Sequence, residues 1–530
     1  MSTDARPARG TSHARQWKGH GGGFLVKLAI MAVINAGGIT AIMAAWRVEA
    51  WGILAASVAL LLAADVIYFS PKAVALKYLY PGLAFLAVFQ LFVMIYTGYV
   101  AFTNYGTGHA GSKTQAIEAL LIQNERKVEG SASYPLAVVR NGDELGFAVV
   151  IDDVIKVGSA ESPLAEIDGG AIGAAGAPTE VPGWDVVQKA ELFSDLELQQ
   201  AVVDLRVPVS DDADEGSVRT REGSTGAVYR SSLVYDEAAD TMTNVDTGVV
   251  YTPNDRGQFV AEDGSSLIVG WYVTVGFENF TKAVTDSTYS GPLLKVAAWT
   301  FAFAVLTVLT SFGLGLVLAM IFNDPRIKGR KVWRTLFILP YAFPAFMSAL
   351  LWRGMLNPTY GIVNEWFFAG ADISWLSDPV LAKGAILWVN LWLSYPYWFL
   401  VATGALQAIP SDMIEAARID GAGRWRTFRS ITLPMLLVST APLAIASFAF
   451  NFNNFTVIYM LTQGGPAFAD TTAPLGHTDI LISAIYEVSG VAGGSADYGL
   501  ASALSIVVFV VIGAISAIAF RQTRKLEEMM

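Results

Sequence analysis

The sequence contains no cysteine among its 530 residues. This absence excludes disulfide bonds, thiolate metal ligands and cysteine nucleophiles. Histidine is scarce too, and His13, His20, His109 and His477 do not follow any metal-ligand spacing, so we expect no metal site. No Gly-Lys dipeptide occurs, so the chain lacks a phosphate-binding P-loop and we expect it to have no ATPase activity of its own. We predict neither catalytic residues nor a cofactor in this chain.

Charged residues are also few, at 15% of the chain, whereas 53% of the residues are hydrophobic. Such a composition lies outside the range of soluble globular proteins and predicts a membrane protein. Apolar runs long enough to cross a bilayer occur near residues 24–46, 51–69, 79–102, 293–322, 332–356, 384–407, 434–462 and 498–520. The predicted fold class is an α-helical polytopic membrane protein with eight transmembrane helices and one large β-rich or α+β insert.

Lysine and arginine are concentrated in alternate connections between these runs. The amino-terminal segment, the loops after the second, fourth and sixth runs, and the tail together hold 19 of them, whereas the opposite short loops contain only Arg47 and Lys383. Cytoplasmic loops of membrane proteins carry the excess of positive charge. We therefore expect both termini in the cytoplasm and the insert outside it.

The insert differs in composition from the rest of the chain. Residues 104–292 contain 12 Lys and Arg against 30 Asp and Glu, a net charge of -18, while the remainder of the chain carries +7. This acidity argues against a nucleic-acid partner. It either keeps an exported domain soluble or belongs to a surface that holds a soluble partner near the pore, and both interpretations remain open.

Short β-type runs in the insert predict strands near 136–139, 147–151 and 267–271, with turns at Asn141-Gly142 and Asp263-Gly264. The Gly-, Ala- and Pro-rich stretch 161–183 and the acidic stretch 207–225 are predicted surface loops. The predicted organisation is a cytoplasmic amino-terminal segment (1–23), three spans (24–103), the periplasmic insert (104–290), five spans (291–520) with a cytoplasmic loop at 408–434, and a cytoplasmic tail (521–530).

The loop at 408–434 carries the most specific motif in the sequence. Glu415-Ala416-Ala417 is followed after three residues by Gly421 and, nine residues later, by Ile431-x-Leu433-Pro434. We predict that Ser411 caps a helix that Gly421 ends, and that a second short helix completes a compact knob. This pattern resembles the coupling loop of importer-type ABC permeases. The resemblance implies that the knob contacts an ATP-binding subunit through Glu415, Ala416, Ala417, Asp420 and Gly421.

The resemblance extends to other segments: Phe102-Thr-Asn-Tyr105, Ile338-Leu-Pro-Tyr-Ala342, Ser394-Tyr-Pro-Tyr397, the stretch 446–455 and Leu461-Thr-Gln-Gly-Gly-Pro466. Together they are similar to the larger membrane subunit of maltose and maltodextrin importers. The resemblance implies a type I importer permease in a bacterial inner membrane. The implied partners are a second permease subunit, a dimer of ATP-binding subunits that bind ATP and Mg, a periplasmic sugar-binding protein, the lipid bilayer and a maltose- or maltodextrin-type sugar.

The seventh apolar run is unusually rich in amides. At about 100° per residue, Ser447, Phe450, Asn451 and Asn454 share one helical face, and Asn453 points elsewhere. Amides and an aromatic ring suit an uncharged sugar, but intramembrane amides also join helices, so the residues alone leave both interpretations open. The resemblance implies that these four residues line the sugar path together with Tyr341, Leu393, Ser394 and Tyr397.

Two positions depart from the family's pattern: Ala345 stands where a Ser is expected and Ser394 where a Gly is expected. One hydroxyl is lost and one gained, so the preferred sugar is not fixed by the resemblance. The alternative function is a secondary sugar transporter without an ATPase partner, which should show internal repeats and an intramembrane acid pathway. Asp65 is the single candidate for such a pathway. A membrane-anchored sensor or enzyme would need a site that the sequence does not offer.

Overall fold

The structure is a computed structural model that describes residues 22–128, 130–212, 215–491 and 493–528. Residues 1–21 of the predicted amino-terminal segment and residues 529–530 of the predicted tail lie outside the described residues. The chain divides into two compact units, residues 1–97 and 98–530, which are described separately.

The first unit consists of long apolar helices. They are α1 (Gly22–Arg47), α2 (Trp51–Phe69) and α3 (Val74–Leu86), which continues through a π-helical turn at Ala87–Leu91 into α4 (Phe92–Val100). The Asn35 Nδ2 donates a hydrogen bond to Asp65 Oδ1 at 3.0 Å, which joins α1 to α2. Asp65 is thus paired with a neighbouring helix, as polar groups within membranes usually are.

The insert contains most of the strands of the second unit. Its helices are α5 (Lys113–Gln123), α6 (Lys189–Ser194) and α7 (Leu196–Asp204). Its strands are β1 (Glu125–Lys127), β2 (Tyr134–Asn141), β3 (Glu144–Ile151), β4 (Val154–Ser159), β5 (Ala165–Glu166), β6 (Ala171–Ile172), β7 (Pro178–Glu180), β8 (Asp185–Val186), β9 (Val207–Pro208), β10 (Ser217–Thr220), β11 (Thr225–Ser231), β12 (Leu233–Asp236), β13 (Thr241–Asn244), β14 (Val250–Pro253) and β15 (Phe259–Ala261).

These strands form two antiparallel sheets and a short ribbon. The larger sheet has the order β5-β4-β3-β2-β11-β10-β9, with β1 paired to β11 and β8 to β2; the smaller sheet has the order β12-β13-β14-β15, and β6 pairs with β7. The larger sheet and α7 bury one apolar core, which includes Phe147 and Val149, and the smaller sheet and α5 bury another around Phe259. The prediction of a β-rich insert is confirmed.

Three predictions within the insert are wrong in detail. Residues 267–271 form no strand and make one isolated bridge, at Trp271. The predicted loop 161–183 contains β5, β6 and β7, and the predicted loop 207–225 contains β9 and β10. Val207 and Val218 explain the second error, because both are fully buried and fix an acidic, loop-like sequence as strands of the larger sheet.

The remaining helices of the second unit begin at the end of the insert. They are α8 (Glu278–Thr285), α9 (Ser287–Asn323), α10 (Arg330–Ile338), α11 (Ala345–Met355), α12 (Ile362–Phe367), α13 (Pro379–Ala408), α14 (Ser411–Ile419), α15 (Arg424–Thr427), α16 (Leu433–Phe452), α17 (Phe455–Thr462), α18 (Leu481–Val488) and α19 (Tyr498–Glu528). A 3-10 turn at Leu339–Ala342 extends α10, and a π-helical turn at Phe428–Thr432 joins α15 to α16.

Within the described residues, seven helices are long and apolar enough to cross a membrane, or eight if one bent pair is counted as a span. The polytopic helical fold is therefore confirmed. The predicted fifth span, 332–356, is a bent pair of helices rather than one helix, because Arg330–Ala342 and Ala345–Met355 meet at an angle of 93°. Pro344 lies at the bend and disfavours helical backbone in Phe343 before it, whose ψ is 134°. The predicted seventh span, 434–462, also breaks, since α16 ends at Phe452.

Helices α9 and α13 pack closely at a glycine. A Cβ added to Gly315 of α9 would lie 2.7 Å from the backbone nitrogen of Phe399 and from the Cβ of Trp398 on α13. Trp398 and Phe399 are buried, and the Trp398 ring meets Phe312 edge to face at 5.2 Å. A small residue thus lets two apolar helices approach, as is common in membrane bundles.

A buried carboxyl group holds the connection between α17 and α18. The Asp479 side chain accepts hydrogen bonds from the backbone N–H of Gly476 at 2.7 Å and from the Ser483 hydroxyl at 2.6 Å. Asp479 is only 2% exposed, and this burial raises its pKa to about 6 despite the two donors. The loop after α17 therefore contains a carboxyl group that titrates close to neutral pH.

Candidate functional site

A cavity of about 500 Å³ lies between the bent pair α10–α11, the middle of α13, the end of α16 and the start of α17. All eight residues predicted to contact a sugar line it: Tyr341, Leu393, Ser394, Tyr397, Ser447, Phe450, Asn451 and Asn454. The rest of the lining is Pro340, Phe343, Ala345, Asn390, Trp398, Ala446 and Val457. The structure thus brings together residues that lie up to about 110 positions apart in the sequence.

Asn390 is the centre of a network of amides in this cavity. Its Nδ2 donates to Asn451 Oδ1 at 2.8 Å and to Thr307 Oγ1 at 3.2 Å, and its Oδ1 accepts from Asn454 Nδ2 at 3.2 Å. Asn451 Nδ2 in turn donates to the carbonyl oxygen of Ser447 at 2.8 Å. Asn390 and Asn451 are 1% and 2% exposed, so each has few alternative partners. The network fixes the orientation of two predicted sugar-binding amides.

Asn390 is absent from the predicted site, although its position on α13 carries a signal. Asn390 lies three, four and seven residues before Leu393, Ser394 and Tyr397, so it shares their face of α13. An amide on that face of an apolar span is a functional candidate by default.

The helix break after Phe452 places Asn454 differently from the prediction. The prediction used one continuous helix, but Asn454 caps α17 and its side chain accepts from the backbone N–H of Val457 at 3.5 Å. Asn454 nevertheless reaches the same cavity as Asn451, because the break redirects the chain there. Asn453 is exposed, and its side chain donates to the Ala449 carbonyl at 3.4 Å. It does not line the cavity, in agreement with the prediction that it points elsewhere.

The lining combines aromatic rings with neutral polar groups. Tyr341 and Phe450 are 58% and 71% exposed, so their rings are free to contact a ligand. No lining residue is Asp, Glu, His, Lys or Arg. Such a surface can donate and accept hydrogen bonds and cover an apolar ring face, but it offers no counter-ion to a charged solute. It suits an uncharged, hydroxyl-rich molecule.

The predicted coupling residues lie on and just after α14. Glu415, Ala416, Asp420 and Gly421 are exposed and Ala417 is half-buried. Gly421 has a φ of 78° and follows the last helical turn, so it ends the helix as predicted.

Two details of the predicted knob are wrong. Ser411 is the first helical residue rather than the cap, and its hydroxyl donates to Asp412 Oδ1 at 3.4 Å. The second helix is not a separate short one, because α15 continues through the π-helical turn into α16. The knob is therefore joined directly to the helix that carries Ser447, Phe450 and Asn451.

Large apolar side chains are also exposed on the two helices of the knob, α14 and α15. Met413, Ile419 and Trp425 are 43%, 86% and 72% exposed. Exposed apolar side chains on the same two short helices as Glu415 are typical of a protein contact surface.

Two family models match the chain. Residues 84–161 match the N-terminal region of the membrane subunit in binding-protein-dependent ABC transporters, and residues 311–526 match the binding-protein-dependent transport system inner membrane component. The maltose/maltodextrin transport system permease protein MalF of Vibrio vulnificus YJ016 is 35% identical over 472 residues, which cover 86% of this chain and 87% of the relative. The proteins of the same name in Klebsiella aerogenes and Escherichia coli K12 are 36% and 34% identical over 477 residues, with 86% and 88% covered.

The chain belongs to this family of ABC importer permeases. It is a membrane-spanning transport component. The segment that matches the inner membrane component, residues 311–526, includes the predicted coupling residues and all eight residues predicted to contact the sugar. Among solved structures, a bacterial ABC transporter for alginate import is 25% identical, with a TM-score of 0.41, over 47% of this permease and 84% of that chain.

Proposed function

We propose that this permease moves maltose- or maltodextrin-type sugars into the cytoplasm by alternating access. The observation that carries the proposal is the uncharged cavity in which Asn390 holds Asn451 and Asn454 beside exposed aromatic rings. Amides can pair with several sugar hydroxyls, and an aromatic ring can cover the apolar face of a pyranose. The relatives named above are maltose/maltodextrin permeases, which supports the same class of substrate.

The energy for transport comes from a separate dimer of ATP-binding subunits, which bind ATP and Mg. Their surface receives the knob, with Glu415 facing basic groups and Ile419 and Trp425 entering apolar contacts. Because α15 continues into α16, a displacement of the knob reaches the sugar-binding residues along one helix. The chain itself has no P-loop and acts as a transport subunit rather than an ATPase.

The remaining partners follow from the family. A second permease subunit completes the transport path as a heterodimer, and a periplasmic sugar-binding protein delivers the sugar. Both termini lie in the cytoplasm and the insert lies in the periplasm, as the distribution of Lys and Arg indicates. The acidic insert holds the binding protein near the pore and so raises its effective concentration there.

The cavity assignment is tested by replacing Asn451. In the assembled transporter, Asn451→Ala removes a side chain that faces the cavity, and we expect a large fall in sugar uptake at normal membrane levels. Asn453→Ala is the matched control, since Asn453 is exposed and outside the cavity. Wild-type uptake by Asn451→Ala would remove the site assignment.

The docking role of the insert needs a separate test. Deletion of residues 110–285 should lower the affinity of membranes for the binding protein. An unchanged affinity would show that the insert is a spacer.

A further inference from the structure

The segment Phe102-Thr-Asn-Tyr105 lies where the chain enters the insert, and the structure shows what it contacts. Asn104 Nδ2 donates to the carbonyl oxygens of Arg256 at 2.8 Å and Trp271 at 3.2 Å, and Asn104 Oδ1 accepts from the backbone N–H of Val273 at 2.7 Å. One amide side chain therefore joins the entry of the insert to its exit. We call this region, residues 101–111 and 270–286, the root of the insert.

A second amide closes the root from the other side. Asn279 on α8 is 6% exposed, and its Nδ2 donates to the carbonyl oxygens of Ala101 at 2.9 Å and Thr103 at 2.7 Å. Gly499, the second residue of α19, lies directly against this pair. A Cβ at position 499 would be 2.3 Å from the Thr103 carbonyl oxygen and 2.7 Å from Asn279 Nδ2.

The root is also bonded to the beginning of α19. Lys282 Nζ forms an ion pair with Asp497 Oδ2 at 2.6 Å, and Asp497 Oδ1 accepts from the backbone N–H of Leu500 in the first turn of that helix. The Lys282 and Asp497 side chains are 35% and 29% exposed, so water screens this pair only in part.

Backbone hydrogen bonds and a ring contact also connect the root to residues 496–499. Thr107 and Ala496 exchange two hydrogen bonds, of 2.8 Å and 2.7 Å. The backbone N–H of Gly499 donates to the Tyr105 carbonyl oxygen at 3.0 Å, and the Tyr105 and Tyr498 rings stack at 5.3 Å. The contacts thus come from both chain crossings of the root and converge on residues 496–499.

The root in turn belongs to the smaller lobe of the insert, which consists of α5 and the sheet β12–β15. Trp271 packs in the core of that lobe with Phe259 and Leu120. The backbone N–H of Gly270 donates to the Gly108 carbonyl at 2.7 Å, and that of Tyr272 donates to the Gly111 carbonyl at 3.0 Å. Among the described residues, Trp271 of the root thus packs directly into the core of this lobe, and Asn104 bonds to Arg256 between β14 and β15.

We propose that Asn104, Asn279, Lys282 and Asp497 are positioning residues that clamp the smaller lobe of the insert to the last span, so that the two move as one body during transport. A hinge at this place would break the hydrogen bonds of the buried Asn279 amide and of the half-buried Asn104 amide. Resting on the proposed function, the inference adds that a binding protein docked on the insert acts directly on the outer end of α19.

The natural absence of cysteine makes a distance measurement direct. Glu262, exposed in the turn after β15, and Val507, exposed on α19, can each be replaced by Cys and spin-labelled in the assembled, reconstituted transporter. We expect one distance distribution with the same centre in the nucleotide-free and the vanadate-trapped states. A centre that moves between the two states would overturn the clamp.

Variants of the clamp residues provide a second test of the proposal, with both the distance distribution and ATP hydrolysis as readouts. Lys282→Met combined with Asn279→Ala should broaden the distance distribution and lower the stimulation of ATP hydrolysis by sugar-loaded binding protein at least about fivefold, without changing basal hydrolysis. Lys156→Met is the matched control, because it breaks the Lys156–Glu166 pair of the distant larger sheet. A narrow distribution and full stimulation in the clamp variant would contradict the proposal.

A charge-exchange variant tests whether any loss in the clamp variants comes from the missing ion pair rather than from misfolding. Lys282→Asp together with Asp497→Lys restores an ion pair, and we expect it to recover the narrow distribution that Lys282→Asp alone loses. Failure of the exchange to recover it would count against the ion pair as a positioning element. The spin-label distances test the clamp even if the binding protein does not dock on the insert, so failure of the proposed function is distinguished from failure of the clamp.

Discussion

Replacement of Asn390 tests whether the amide network sets the affinity of the cavity for sugar. Asn390→Ala leaves Asn451 Oδ1 and Asn454 Nδ2 without the partners that hold them at 2.8 Å and 3.2 Å. A buried polar group without a partner costs about 1–3 kcal/mol. Water can enter the enlarged cavity and satisfy part of this loss, so we take about 2 kcal/mol for the two groups together. Because the two amides also lose the orientation in which they meet the sugar, we expect the same amount to be lost from sugar binding, which is roughly a 30-fold weaker interaction.

The assay is sugar uptake into proteoliposomes that contain the assembled transporter and ATP, measured over a range of loaded binding protein and sugar. Asn390→Ala should lower uptake at limiting sugar by roughly 30-fold, while the membrane level and basal ATP hydrolysis stay normal. Asn453→Ala serves as the control, because its side chain is exposed and outside the network. Wild-type uptake by Asn390→Ala at limiting sugar would refute the reasoning.

Three further predictions concern the knob, the helix packing and the buried carboxyl group. Glu415→Lys should uncouple ATP hydrolysis from transport, measured as sugar moved per ATP hydrolysed; full coupling would contradict the docking role. Gly315→Ala should destabilise the solubilised protein by about 1–3 kcal/mol in a thermal-aggregation assay, because a Cβ at that position would lie 2.7 Å from α13 backbone, whereas Gly313→Ala has open space and should be neutral. The pKa of Asp479 is about 6 in the folded chain, against an ordinary value of 3.8. Between these two pH values the folded state binds more protons than the unfolded state. The free energy of unfolding should therefore fall as pH rises from about 4 to about 6, by about 3 kcal/mol at most. Asp479→Asn cannot ionise and should flatten the pH dependence of the melting temperature; an unchanged slope would contradict the assignment.

Local patterns predicted the features that depend on short stretches of sequence. The motif from Glu415 to Pro434 predicted where α14 ends, because Gly421 there takes the left-handed conformation that favours glycine, with a φ of 78°. Apolar length located the spans to within a few residues for most helices, since bilayer thickness sets that length. The amide face of the seventh run led to the cavity even though the assumed continuous helix was wrong.

Features that depend on packing between distant segments were not predictable in this way. The bend beside Pro344 and the break after Phe452 interrupt stretches that are apolar throughout, so hydropathy alone does not locate them. Strands β9 and β10 form within an acidic stretch because Val207 and Val218 enter a core supplied by other strands. The face of α13 marks Asn390 as a candidate, but its hydrogen bonds to Asn451 and Asn454, more than 60 residues later, depend on the packing of α13 against α16 and α17.

Sugar-dependent ATP hydrolysis by the complete reconstituted complex tests the central claim most directly. With loaded binding protein present, maltose and short maltodextrins should raise the hydrolysis rate, charged sugars should not, and Asn451→Ala should remove the response. If uptake instead proceeds without any ATP-binding subunit or ATP, the chain is not an ATP-coupled permease and the account is wrong.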